Sequence, residues 1–467
     1  MRASRGHLRR TAAALICLCA GAAPFAAPAM LAPGLSEEPE PRAPFVAWAR
    51  TAAINLASVE SIPDESDLAP LCTLVGDARV VALGEPGHGA HQPLALRNRL
   101  FGYLIEHCGF TAIALETSFS ESRAVHDFVQ GGGGKAADVT RRSLTWGFGD
   151  YAENVALIEW MRDYNRRAAE RRQIQFYGID LSGADNDSAF PHAGVAIQGV
   201  VRYLRSAAPR SSSELIARLG PLLDRTAAGG YAQLAASHDH DLDTALGSLD
   251  SFLASHAAAL RRASTKSDYD WAVRELIVAR QLRNFLSLDI APSSGAAMSP
   301  DEYKQVNVRD AAMADNLLWV TREEGVGGRV LVFAHDAHVM NAPARGGIWS
   351  VFSQPPRMMG QHLRAALGKT LFIVGSSAAR SGAGLPAGAP LANCTEDALS
   401  EVGLPPFLLD LRPAARDPGA RAWLDRTRPL RANFSTELDV NLQQAFDAVA
   451  FIDELTPAMK NSEDVVH

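Results

Sequence analysis

Short apolar runs separated by helix-length amphipathic stretches dominate the chain. Arg79-Val80-Val81-Ala82-Leu83 and Phe110 to Leu115 are nearly continuous apolar runs, the pattern of strands buried on both faces. Similar runs cover Gln173–Ile179, Arg329–Ala334, Thr370–Val374, Pro406–Leu409 and Ala448–Ile452. Between the first two, Leu96, Leu100, Tyr103 and Leu104 repeat at helical spacing across Pro93–His107, and Gly109 follows as the C′ residue. Asn154–Asn165 is helical by the same test. Strands separated by helix-length segments predict βαβ units, hence an α/β fold with a mainly parallel sheet. From about 190 to 325 the rhythm changes to Ala- and Leu-rich helical periodicity without a strand-like run. This stretch predicts a largely helical insertion that caps or flanks the sheet. Gly131 to Gly134 lacks the strand-then-helix setting of a phosphate-binding loop and reads as a linker.

The N-terminus follows a different logic. Arg2, Arg5, Arg9 and Arg10 precede a short apolar stretch from about Ala12 to Cys19, and small residues lead to Ala27-Pro28-Ala29. That order is the pattern of a cleaved secretory signal over residues 1–29, and the apolar run is too short to span a bilayer. Residues 30–44, rich in Pro, Glu and Ala, read as a flexible leader before a catalytic domain over 45–467. The expected location is therefore periplasmic or secreted, with no membrane association after signal removal.

Losing four arginines and no acid shifts the net charge from −7 to −11, which argues against nucleic acid or an anionic membrane as partner. The mature chain keeps Cys72, Cys108 and Cys394, so at most one disulfide forms within it. With 47% hydrophobic residues, the chain can bury a large core without a disulfide scaffold.

Candidate chemistry lies where strands end. Leu83-Gly84 leads to Glu85 and His88, Leu115 to Glu116, Ile179 to Asp180, and Ala334 to His335. In open parallel sheets, ligands bind beyond the carboxyl ends of strands, so these endings are expected to converge on one edge. Asp180 also suits a plain turn or N-cap role. His88 is the leading candidate. Gly84, Gly87 and Gly89 permit a sharp turn, and the helix expected to start near Pro93 turns its positive end toward the imidazole, favouring the neutral, proton-accepting form. Glu85, three residues earlier, is placed to orient that ring.

His335-Asp336-Ala337-His338 follows a strand but lacks the helical H-E-x-x-H frame. Zinc held by His88, His335, His338 and a carboxylate is one reading; metal-free acid–base or polarising roles are the other. Arg309, Met313, Asn316 and Val320 share a helical stripe over Asn307–Val320, where a buried arginine needs a carboxylate or substrate carbonyl. Arg97 is placed to bind Glu116 in the same way. The segment from 190 to 300 and Trp146-Gly147-Phe148 are expected to line the cleft. No G-x-S-x-G elbow, S-x-x-K or catalytic cysteine setting occurs, so a covalent serine or cysteine mechanism has no support. His238-Asp239-His240-Asp241 reads as a solvated polar loop.

At these residues the chain resembles the erythromycin esterase family. Val81-Ala82-Leu83-Gly84-Glu85-Pro86-Gly87-His88-Gly89 resembles the family's A-L-G-E-x-x-H-G block. Arg97 to Phe101, Phe110 to Glu116, Trp160-Met161-Arg162, Tyr177 to Asp180, Arg309 to Asn316, His335 to Val339 and Met359 to Leu363 continue the likeness in order. The resemblance implies hydrolysis of a small-molecule ester, typified by a macrolide lactone, without a covalent intermediate or a cofactor. It casts His88 as the base that activates water. Glu85, Glu116, Arg97, Arg309, His335 and His338 complete the site in that likeness by orienting groups or polarising the carbonyl. Arg97, Trp146 and Asp180 are the expected substrate contacts. It also implies helices on both faces of the sheet and a helical part framing a cleft. Pro86-Gly87 replaces a commoner small polar pair, and Asp336 stands where Asn is frequent. Two other readings remain at this point: an exported haem- or metal-binding protein of related fold, and a metal-dependent hydrolase.

Overall fold

The structure is a computed structural model describing residues 42–461, apart from 168–171, 184–189, 191, 227–229, 291–298, 386–393 and 433–435. The expected signal and most of the leader lie outside the described residues. A helix, Arg42–Ala52, begins inside the last three leader positions. The chain divides into two compact units: a sheet unit of residues 42–110 and 329–460, and a helical unit of 111–328 with Asn461.

The sheet unit holds strands β1 (Ala53–Asn55), β2 (Val80–Glu85), β5 (Val330–His335), β6 (Leu371–Ser381), β7 (Phe407–Asp410) and β10 (Ala448–Leu455). Their lateral order is β1-β7-β10-β6-β2-β5. Within it β10, β6, β2 and β5 run parallel, while β7 runs antiparallel to both β10 and β1. Every residue of β2 and β5 is buried, which accounts for their apolar sequence up to the final Glu85 and His335. A separate hairpin pairs β8 (Thr427–Ala432) with β9 (Thr436–Asn441). Neither the hairpin nor the three-residue β1 is foreshadowed by an apolar run.

After β2 the chain turns into the helix His91–His107, two residues earlier than its apolar spacing suggests. Pro93 is its third residue, where a missing N–H leaves no intrahelical bond unmade. Cys108 caps the helix and Gly109 follows at φ +72°, the left-handed conformation glycine tolerates. Cys108 forms a disulfide with Cys72, pinning the short helix Leu71–Val75 to this helix end; Cys394 is buried and unbonded to sulfur.

In the helical unit, β3 (Ala112–Ser118) and β4 (Gln175–Asp180) pair in parallel, with a register shift between Leu115 and Ser118. Helices follow from Val195 to Glu323, and no strand occurs among the described residues of this stretch, as the periodicity predicts. The Tyr303–Glu323 helix carries the Arg309 stripe. Its Trp319 packs ring against ring with Trp271, Phe119 and Tyr177. No helix among the described residues is long and apolar enough to cross a membrane.

Candidate functional site

Each unit gathers part of the predicted set of site residues at its strand ends. In the sheet unit, β2 and β5 pair through their last residues, setting Gly84 beside Ala334 and Glu85 beside His335. Glu85 is thus the final residue of the strand. His88 returns over it, and its Nδ1 lies 2.7 Å from Glu85 Oε1 with both side chains almost wholly buried. A carboxylate accepts at that distance, so Nδ1 carries the proton and Nε2 of the neutral ring holds the lone pair.

The turn is pinned from outside. Gly89 adopts φ +81° and its carbonyl accepts from Ala458 N–H at 2.8 Å, while His91 N–H donates to Thr456 O. Gly84 has a different use, because a Cβ there would overlap the Asp336 carboxylate.

His335 caps the one-turn helix Asp336–Val339, its Nδ1 accepting from Ala337 N–H at 3.1 Å. That bond fixes the opposite tautomer, with the neutral ring's proton on Nε2. The His88 and His335 rings stand 5.3 Å apart between centroids, and His335 and His338 6.4 Å apart. One imidazole therefore presents a proton acceptor at Nε2 and its neighbour a proton donor. Among the described residues, no group of three or more His, Cys, Asp or Glu side chains is arranged to hold a metal ion. Arg97 is buried, with its guanidinium over the Phe333 ring and bonded to Asn98 Oδ1.

Sequence reasoning missed the residues beneath this cluster. Ser376 Oγ donates to Gly84 O at 2.7 Å, Ser376 N–H donates to Asp336 Oδ1 at 2.9 Å, and Ser377 Oγ donates to Glu396 Oε1 at 2.7 Å. Burial, reinforced by the negative charges of Glu85 and Glu396, holds the Asp336 carboxyl far above the usual range despite the Ser376 bond.

In the helical unit, Arg309 is gripped by two carboxylates. Its Nε lies 3.0 Å from Asp180 Oδ1, and its Nη2 lies 2.7 Å from Asp180 Oδ2 and 2.8 Å from Glu116 Oε1. Trp146 Nε1 donates to Asp180 Oδ2 at 3.0 Å, and its ring faces the guanidinium at 5.5 Å. Trp146 itself sits at φ +62°, a strained conformation for a bulky residue. Asp180 is therefore an ion-pair residue at a strand end. Asn316, about two turns further along, donates to Ile179 O and accepts from Arg274, so both polar residues of the stripe find buried partners.

Glu121, just beyond β3, was not foreseen. It accepts from Gly183 N–H at 2.6 Å, and burial, with a smaller push from Asp180, raises its carboxyl to about 8. Asp239 N-caps the His240–Ser255 helix and pairs with Arg225, so the expected polar loop ends at Asp239 and His240-Asp241 open a helix instead.

The family model for erythromycin esterase matches residues 105–455. Erythromycin esterase type II of Escherichia coli is 27% identical over 320 residues, covering 67% of this chain and 72% of that protein. Among solved structures, a Bacillus cereus protein aligns at TM-score 0.76 with 21% identity, over 91% of this chain and all of that one. A mutant of the erythromycin esterase EreC in its open conformation aligns at TM-score 0.58 with 19% identity, over 86% of this chain and 96% of that one. A mixed α/β fold with a mostly parallel sheet and these matches define an enzyme, a hydrolase of ester bonds. The chain belongs to the erythromycin esterase family. The matched range begins after His88, so the part played by the Glu85–His88 pair is argued from its geometry.

Proposed function

We propose that this enzyme cleaves a carboxylic ester or lactone by direct attack of water, with His88 as general base. The observation that carries this reading is the buried 2.7 Å contact from His88 Nδ1 to Glu85, which sets Nε2 as the proton acceptor. In this mechanism His88 Nε2 removes a proton from water as the water oxygen bonds to the carbonyl carbon. Glu85 stabilises the imidazolium that forms, and the same ring returns the proton to the departing alkoxide. His335, held as the Nε2–H tautomer, supplies a donor for the developing oxyanion, with His338 beside it. The Arg309 guanidinium, fixed by Glu116 and Asp180, is a preorganised cation of the kind that polarises a carbonyl.

The name of the Escherichia coli relative makes macrolide lactones the first substrates to try, beside simple carboxylic esters. Incubation with such a panel is expected to add the mass of one water to at least one member, read by mass spectrometry. Turnover of none, by protein that remains folded, would count against the reading.

Export is part of the proposal. The basic, apolar and small-residue segments of residues 1–29 support it, and so does the Cys72–Cys108 disulfide, a bond that persists in oxidising compartments. N-terminal sequencing of the mature protein is expected to begin at Met30. Full-length protein retained in the cytoplasm would refute export.

A further inference from the structure

The ladder between β2 and β6 stops at Leu83 and Val374, whereas β2 stays paired with β5 through Glu85 and His335. Beyond that point side chains replace the missing backbone bonds. Asp336, the first residue after β5, reaches across Gly84 and accepts from the Ser376 N–H of β6; Ser376 Oγ in turn donates to Gly84 O. A single carboxyl group thus spans three neighbouring strand tips. Its fit depends on glycine at 84, since any Cβ would displace it. Asp336 is completely buried, and its Oδ2 has no hydrogen-bond partner among the described residues.

We propose that Asp336 is a positioning residue of the His88 centre, its carboxyl group clamping the tips of β5, β2 and β6 so that Glu85 is held against His88 and opposite His335. This rests on the reading of His88 as the base. Burial, with the charges of Glu85 and Glu396, raises the carboxyl well above its usual range, and the geometry makes it act through shape and hydrogen bonding. An asparagine amide offers the same acceptor to Ser376 N–H in the same volume. Alanine leaves that buried N–H unsatisfied and the strand tips free to shift, and displacements near 1 Å cost about a hundredfold in rate.

The test compares Asp336→Ala, Asp336→Asn and Gly84→Ala. Asp336→Ala is expected to lower kcat by about a hundredfold with KM little changed, and Asp336→Asn to restore most of it. Gly84→Ala, which drives the carboxyl out while leaving it in the chain, is expected to reproduce the loss, and it serves if Asp336→Ala does not fold. Titration of the His88 imidazole, followed by NMR without substrate, gives a readout independent of any ester. Its midpoint is expected to move in Asp336→Ala and to stay in Asp336→Asn. An unmoved midpoint in Asp336→Ala, or an asparagine variant as impaired as the alanine one, would overturn the proposal. Absence of esterase activity in wild-type protein would instead strike the reading of His88 and leave the titration to decide the clamp.

Discussion

Replacing His88 by alanine is expected to lower kcat for ester cleavage by about a thousandfold, within the range that positioned general bases contribute. The ring is buried, its Nδ1 is occupied by Glu85, and the tautomer that results is the one that accepts a proton at Nε2. Removing the imidazole leaves Glu85 in place as the last residue of β2 but takes away the group whose Nε2 accepts the proton. His88→Gln, which keeps a donor toward Glu85 and cannot take up a proton, is expected to be as inactive as alanine. Far-UV circular dichroism and Tm check that both variants fold. A folded His88→Gln with wild-type kcat would mean that the ring only holds the turn.

The second large effect is on stability. Arg309→Ala leaves Glu116 and Asp180 buried without their counter-ion, and breaking a buried pair in this way costs about 3–5 kcal/mol. A typical domain has only about 5–15 kcal/mol in hand, so the variant is expected to unfold at markedly lower temperature and urea concentration. Arg309→Lys is expected to recover part of the loss, because an ammonium cannot span both carboxylates as the guanidinium fork does. Changing Glu116→Gln and Asp180→Asn together with Arg309→Met is expected to recover most of it, since no charge is then stranded. An Arg309→Ala variant within 1 kcal/mol of wild type in urea unfolding would show that the two carboxylates do not depend on this cation.

The strand ends were legible because the physics there is local. A buried strand must be apolar, so the first ionisable residue after each run marks its end. Glu85, Asp180 and His335 are the last residues of their strands, whereas β3 runs two residues past Glu116 to Ser118. Pairing of Glu85 with His88 was legible for a similar reason, since a glycine-rich turn brings residues three apart together.

What escaped notice depends on lateral order. Asp336, Ser376 and Gly84 meet only because β6 and β5 flank β2, and no feature of any one segment announces that arrangement. The pairing of Arg309 with both Glu116 and Asp180 likewise depends on β3 lying beside β4. The β8–β9 hairpin was hidden by its charged and proline positions: Pro429 faces Asp439 and Arg431 faces Glu437, while Leu430, Leu438 and Val440 turn firmly inward. The choice of Cys72 and Cys108 over Cys394 needed the end of the His91–His107 helix to be placed in space.

The reading of His88 as a base acting on water is tested most directly by a single turnover in oxygen-18 water, with enzyme in excess over a cleaved ester. Direct attack places one heavy oxygen in the acid product and none in the protein. Heavy oxygen recovered in the peptide that contains Glu85 would show that a carboxylate attacked first and would contradict it.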